Sequence, residues 1–245
     1  MIILGDIGNT ETKICLVDNN KILKKITIPS KGKKLNFLNK YFKNFKFSKI
    51  NKILFCSVVP STYKELKSYF TKKTKVKCFE LKELNIKSIL KIDVNYKQVG
   101  SDRLANAISV SDKNKNYIIL DFGTATTFDI LIGNNYKGGV ISPGIKLSLN
   151  TLSDRASLIP KINLKKMSKI IGKDTKSAVR SGFFWGYAGL IDNIINLIKK
   201  ETRKSFNIII TGGFSELFRN SIKTKTKQDI DLTINGLIKA SKLIK

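Results

Sequence analysis

Short stretches with a repeat of two and longer ones with a repeat near 3.6 follow one another, the signature of a mixed α/β chain. Strand-like runs lie at 53–59, 117–121, 126–132, 136–141 and 207–211, and helical spacing is found near 35–45, 62–70, 145–153, 175–200 and 232–244. A further helical stretch, Leu104-Ala-Asn-Ala-Ile-Ser-Val, opens directly after Arg103. Antiparallel hairpins open each half of the chain, and helices alternate with strands after them.

The hairpins repeat. Leu4 to Asn19 aligns without a gap on Ile119 to Asn134, matching Asp6 to Asp121, Gly8 to Gly123, Thr12 to Thr127, Leu16 to Leu131 and Asn19 to Asn134. Each copy reads as a strand, a polar turn on Asp-x-Gly, a second strand and an asparagine-bearing hairpin turn into a third. Two copies imply two related lobes, 1–115 and 116–245. No low-complexity linker parts them, so a shared packed interface is expected.

A chain of 245 residues that is 42% hydrophobic can bury a sizeable core. The start, Met1 to Asp6, has neither the basic nor the long apolar region of a secretory leader, and no stretch approaches membrane-spanning length. Cys15, Cys56 and Cys78 are odd in number, lie in apolar surroundings and form no C-x-x-C pair. They read as core residues of a protein in a reducing cytoplasm rather than as a disulfide or zinc framework. Histidine is absent, which excludes Ser-His-Asp hydrolysis and histidine-ligated metals and leaves proton transfer to a carboxylate.

The net charge of +28 changes this picture less than it first suggests. Of the 46 basic residues 41 are lysine and 5 arginine, whereas arginine is the commoner reader of bases. Residues 31–97 hold 18 lysines against 4 acidic residues, while 103–160 is nearly balanced. A solvated, compositionally biased surface is therefore expected, and nucleic acid is not an expected partner.

An Asp-x-Gly turn followed by threonines suits phosphate binding. Glycine admits backbone N–H groups to the anion, hydroxyls add donors, and the aspartate can hold an accompanying metal. A single copy would be an ordinary hairpin turn. Gly172-Lys-Asp-Thr175 is not a Walker A loop, because Met167 stands where its first glycine belongs, and Thr175 can cap the helix that follows. Asp102, beside Arg103, is either a helix-capping acid or a base for a substrate hydroxyl, with the guanidinium as a bidentate partner for a substrate carboxylate. Gly138 to Gly144 is either a ligand loop or a tight connection, and Thr211-Gly-Gly213 either admits an adenine ring or turns a strand into a helix.

Together these segments resemble the type III pantothenate kinases of the actin, Hsp70 and sugar-kinase superfamily. Asp6-Ile-Gly-Asn-Thr10, Gly100-Ser-Asp-Arg103, Asp121-Phe-Gly-Thr-Ala-Thr-Thr127, Gly139-Val-Ile-Ser-Pro-Gly144, Ile171-Gly-Lys-Asp-Thr175 and Thr211-Gly-Gly213 follow in the family's order over nearly the whole chain. The resemblance implies two actin-like, ribonuclease H-like lobes with ATP in the cleft between them, and phosphorylation of the 4′-hydroxyl of pantothenate. It implies Asp102 as the proton acceptor, with Tyr96, Gly100, Ser101, Asp102, Arg103 and Thr175 lining the substrate. Asp6, Ile7, Gly8, Asn9, Thr10, Glu11, Thr12, Lys13 and Thr124 would contact ATP, which arrives with magnesium. Asp121 would hold potassium or ammonium, and the enzymes of the family are homodimers. Two positions depart from the family's habit: Cys15 often is glycine, and Ser101 commonly a small apolar residue. The rivals are a related kinase with another acceptor and a regulator that binds nucleic acid through its basic first lobe, which a steep salt dependence would reveal.

Overall fold

The computed structural model describes residues 1–30, 32, 34–43 and 46–244, and the chain forms two compact units. The first comprises Met1–Ser111, Asn134–Tyr136 and Asp231–Lys245, and the second Asp112–Gly133 and Lys137–Ile230.

In the first unit β1 (Ile2–Ile7), β2 (Glu11–Asp18) and β3 (Lys21–Pro29) form a meander, followed by α1 (Lys34–Tyr41). This is the helix expected at 35–45, whose last residues, 44 and 45, lie outside the described ones. β4 (Lys52–Ser57), α2 (Pro60–Thr74), β5 (Cys78–Glu80), β6 (Lys91–Ile92) and α3 (Ser101–Val110) complete the run to Ser111. The sheet order is β3-β2-β1-β4-β5, with β1, β4 and β5 parallel. Burial alternates along β3 from Ile26 as the pleat dictates, whereas β2 buries the adjacent Ile14 and Cys15 as well as Thr12 and Val17. Phe42, Phe55, Leu66 and Phe70 fill one core beside Ile3, Ile14 and Ile53.

In the second unit β7 (Tyr117–Phe122), β8 (Ala125–Ile132) and β9 (Asn135–Pro143) form another meander, the first two residues of β9 belonging to the first unit, where they pair in parallel with β6. α4 (Ile145–Arg155), α5 (Thr175–Thr202), β10 (Asn207–Gly212), α6 (Ser215–Phe218) and β11 (Thr226–Gln228) follow. The order β11-β10-β7-β8-β9 retraces that of the first sheet, with β7, β10 and β11 parallel. The repeat visible in two hairpins thus extends over a five-stranded topology. α5 buries Ser181, Phe184, Ala188, Ile191, Ile195 and Ile198, one per turn on a single stripe.

The repeat is not gapless in space. Asp6 faces Lys13 across the first hairpin, but Asp121 faces Thr127 across the second. The first turn holds one residue more, so Thr12 corresponds to Thr126 and Asn19 to Gly133. The hairpin ends confirm the shift: Asn19 and Asn20 both adopt positive φ, whereas Gly133 does so in the second copy. A strand tolerates no half-step, because a slip of one residue would turn the buried threonine outward. Thr12 and Thr126 are both fully buried.

The last helix, α7 (Leu232–Ala240), was expected in the second lobe and belongs to the first unit. α3 is buried around most of its surface, from Leu104 to Ile108, and α7 covers it. Gly236 lies against the carbonyl oxygen of Ala105, where a Cβ would collide, and Thr233 Oγ1 donates to Asn106 Oδ1 at 2.8 Å.

Candidate active site

The parallel strands of the first unit end together, and their carboxyl ends carry the polar groups, as α/β sheets commonly arrange them. Asp6 on β1 pairs in register with Cys56 on β4, and Phe55 with Glu80 on β5. The Cys56 thiol donates to Asp6 Oδ1 at 3.7 Å. Burial, then the charges of Asp6, Asp102 and Glu80, raise that thiol's pKa well above its usual value, so it stays protonated. Cys15 and Cys78 are likewise buried and free, pushed up to about 11 and about 12 chiefly by burial. All three are core residues.

Asp102 sits in the first turn of α3, whose N-cap is Gly100. Its Oδ1 accepts from the backbone N–H of Arg103 at 2.8 Å, and the carboxylate folds back over Gly100 so closely that a Cβ there would strike it. It is therefore a first-turn acid and not the N-cap. Burial raises its pKa, against the lowering effect of the Arg103 N–H, the Arg103 guanidinium and Lys82. A carboxyl that holds its proton more tightly than free aspartate is a better proton acceptor when ionised. Tyr96 is half-buried nearby, its hydroxyl donating to the carbonyl of Lys82 at 3.3 Å while the Lys82 ammonium lies 5.5 Å from its ring centroid.

In the first hairpin turn the N–H of Gly8 donates to the carbonyl of Glu11 at 3.0 Å, and Asn9, Thr10 and Glu11 are exposed. Ile7 and Thr12 are core residues instead. The Thr12 hydroxyl bonds that of Ser30 at 2.8 Å, so its side chain is not among those facing a ligand. Gly8, Asn9, Thr10, Glu11 and the half-buried Lys13 remain as the polar set around Asp6.

The second turn is built alike. The N–H of Gly123 donates to the carbonyl of Ala125 at 3.1 Å, and Thr124 is exposed. Gly138 to Pro143 belong to β9 and form neither a ligand loop nor a connection; Gly144 alone joins β9 to α4 as its N-cap, fits against the carbonyl of Thr124 and brings a helix N-terminus to the turn. Gly212, at φ +87°, closes the other side: a Cβ there would lie 2.6 Å from Asp121 Oδ1 and 2.6 Å from Phe122 N. Thr175 is exposed at the start of α5 but does not cap it. Asp174 does, through a reciprocal box with Ser177, whose N–H donates to Asp174 Oδ1 at 2.9 Å.

Sequence reasoning passed over Glu80, Lys82, Ser57 and Cys56. They lie outside any motif, and only the strand register brings them to Asp6 and Asp102.

Two sheets of one topology, each with an Asp-x-Gly turn where its first strand ends, define the actin-like fold class. The fold is shared with a Campylobacter jejuni protein assigned to the Baf family of transcriptional activators (TM-score 0.61, 22% identity, covering 98% of this chain and 97% of that one). It is shared too with MreB 5 of Spiroplasma citri bound to AMPPNP (TM-score 0.56, 11% identity, covering 99% and 96%). The chain belongs to the type III pantothenate kinase family, whose model matches residues 2–197. A type III pantothenate kinase of Pelagibacter ubique is 63% identical over the full length of both chains. The protein is accordingly a kinase that transfers phosphate from ATP to pantothenate, the first step of coenzyme A biosynthesis.

Proposed function

We propose that Asp102 accepts the proton of the pantothenate 4′-hydroxyl as that oxygen attacks the γ-phosphorus of ATP. The observation that carries this reading is the Asp102 carboxylate itself, held over Gly100 beside Arg103 with its pKa raised by burial. Tyr96, Gly100, Ser101 and Arg103 line the acceptor, the guanidinium binding its carboxylate, and Thr175 joins them. Asp6, Gly8, Asn9, Thr10, Glu11, Lys13 and Thr124 contact ATP, which enters with magnesium. Because phosphoryl transfer runs through a loose transition state, positioning and charge neutralisation supply most of the rate and the base a smaller part.

Residues around Asp121 suit a monovalent cation. Its carboxylate, near the end of β7, offers a hard oxygen, and Gly212 packs close against it. Potassium or ammonium held there would offset part of the charge on the phosphates. The enzyme works as a cytoplasmic homodimer.

A pantothenate-dependent ADP-release assay, run with and without potassium, tests the activity and the cation together. Asp121→Ala is expected to weaken ATP use and abolish activation by potassium; an unaltered potassium response would remove the cation from Asp121. The pH profile of kcat/KM for pantothenate tests the base. Asp102 must be ionised to act, so kcat/KM should rise with pH through its raised pKa, placing the acid limb above the ordinary aspartate value of about 3.9. A limb at or below that value would exclude Asp102.

A further inference from the structure

α3 begins without a side-chain cap, since Gly100 has none to offer. Its first residue, Ser101, is buried, and the Ser101 hydroxyl donates to Glu80 Oε1. Glu80 is in turn held from two other directions. The N–H of Ser57, at the end of β4, donates to Oε1 at 3.3 Å, and that of Lys82 donates to Oε2 at 2.6 Å. One carboxylate therefore ties the end of β4, the segment after β5 and the start of α3. Its negative charge also sits where a helix N-terminus favours one.

We propose that Glu80 is a positioning residue for phosphoryl transfer, acting through Ser101 to fix the first turn of α3 and so the direction of the Asp102 carboxylate. Asp102 is the residue after Ser101, and its carboxylate leaves no slack above Gly100. A shift of the helix start moves the carboxylate with it. The serine at 101 gives Glu80 a handle on the turn that an apolar residue would not provide. The inference rests on Asp102 being the base.

The test is steady-state kinetics of Ser101→Ala, Glu80→Ala and Glu80→Gln, each also combined with Asp102→Asn. Ser101→Ala and Glu80→Ala should each lower kcat about tenfold, the scale of a sub-ångström misplacement, with KM for ATP within about twofold. Glu80→Gln keeps an acceptor for the Ser101 hydroxyl and should recover most of the lost rate. Combining Ser101→Ala with Glu80→Ala should cost no more than either alone, because one route is cut twice. On the Asp102→Asn background neither should lower the rate further. A fully active Ser101→Ala, or losses that multiply undiminished onto Asp102→Asn, would overturn the proposal. Ser101→Ala removes only a hydroxyl, so it decides the matter should Glu80→Ala not fold. The two readings fail differently: near-normal turnover of Asp102→Asn removes the base, whereas a crippled Asp102→Asn beside an unimpaired Ser101→Ala removes only the role of Glu80.

Discussion

Asp102→Asn is expected to lower kcat by about two orders of magnitude, the usual scale of a lost general base, while KM for pantothenate stays within about threefold. The amide keeps the shape of the carboxylate and can still accept from the Arg103 N–H, so the acceptor remains bound and only the proton loses its destination. The same variant should melt higher than the parent at neutral pH. The folded-state pKa of Asp102 is raised, so the folded protein holds this proton more tightly than the unfolded chain does. Its favourable contribution is complete below the unfolded value near 3.9 and is lost as pH rises through the raised value. Above that value the ionised carboxylate is a net burden, which the neutral amide lifts. Thermal melts across pH read this directly, the difference between the two proteins closing as the buffer is made more acid. Near-normal kcat would exclude Asp102 as the base, and a variant that melts lower at neutral pH would mean that burial does not dominate its environment.

Gly212→Ala is expected to destabilise the second unit and to weaken the use of ATP. At φ +87° a Cβ costs about 1–2 kcal/mol in backbone strain alone. It would also stand 2.6 Å from Phe122 N and 2.6 Å from Asp121 Oδ1, so β10 or the Asp121 turn must move, adding roughly 1–3 kcal/mol. A fall in Tm of roughly 5–15 °C follows for a chain of this size. In the protein that remains folded, KM for ATP should rise far more than KM for pantothenate if the displaced turn, which carries Asp121 and Thr124, holds the phosphates as proposed. Gly213 is the control. A Cβ there meets nothing within 4 Å, so Gly213→Ala should leave Tm within about 1 °C. Equal effects at 212 and 213 would refute this account of Gly212.

Much of the second unit was legible in the sequence. α5 repeats its buried residues every three or four positions from Ser181 to Ile198, and its observed span of Thr175–Thr202 nearly coincides with the expected 175–200. The hairpin strands were legible for the same reason, since one buried face enforces alternation. Less visible were β5, β6, β11 and α6, two to four residues each, too short to show a period.

The two Asp-x-Gly turns and their position after apolar strands are local properties, and residue order alone determined them, whereas Asp102 stood open between a helix-capping acid and a base until the family resemblance was added. Three things were decided only by the tertiary structure. The hairpins differ by one residue in the turn, which changes no apolar position before the turn and so escapes a gapless comparison, yet sets which threonine is buried. α7 joins the first unit because α3 needs a cover and Gly236 permits the approach, a matter of shape between segments more than a hundred residues apart. Glu80 meets Ser101 because β4 and β5 run in register beside the start of α3. A carboxylate at the end of a three-residue strand carries no signal of its own; its role is conferred by the three segments that converge on it.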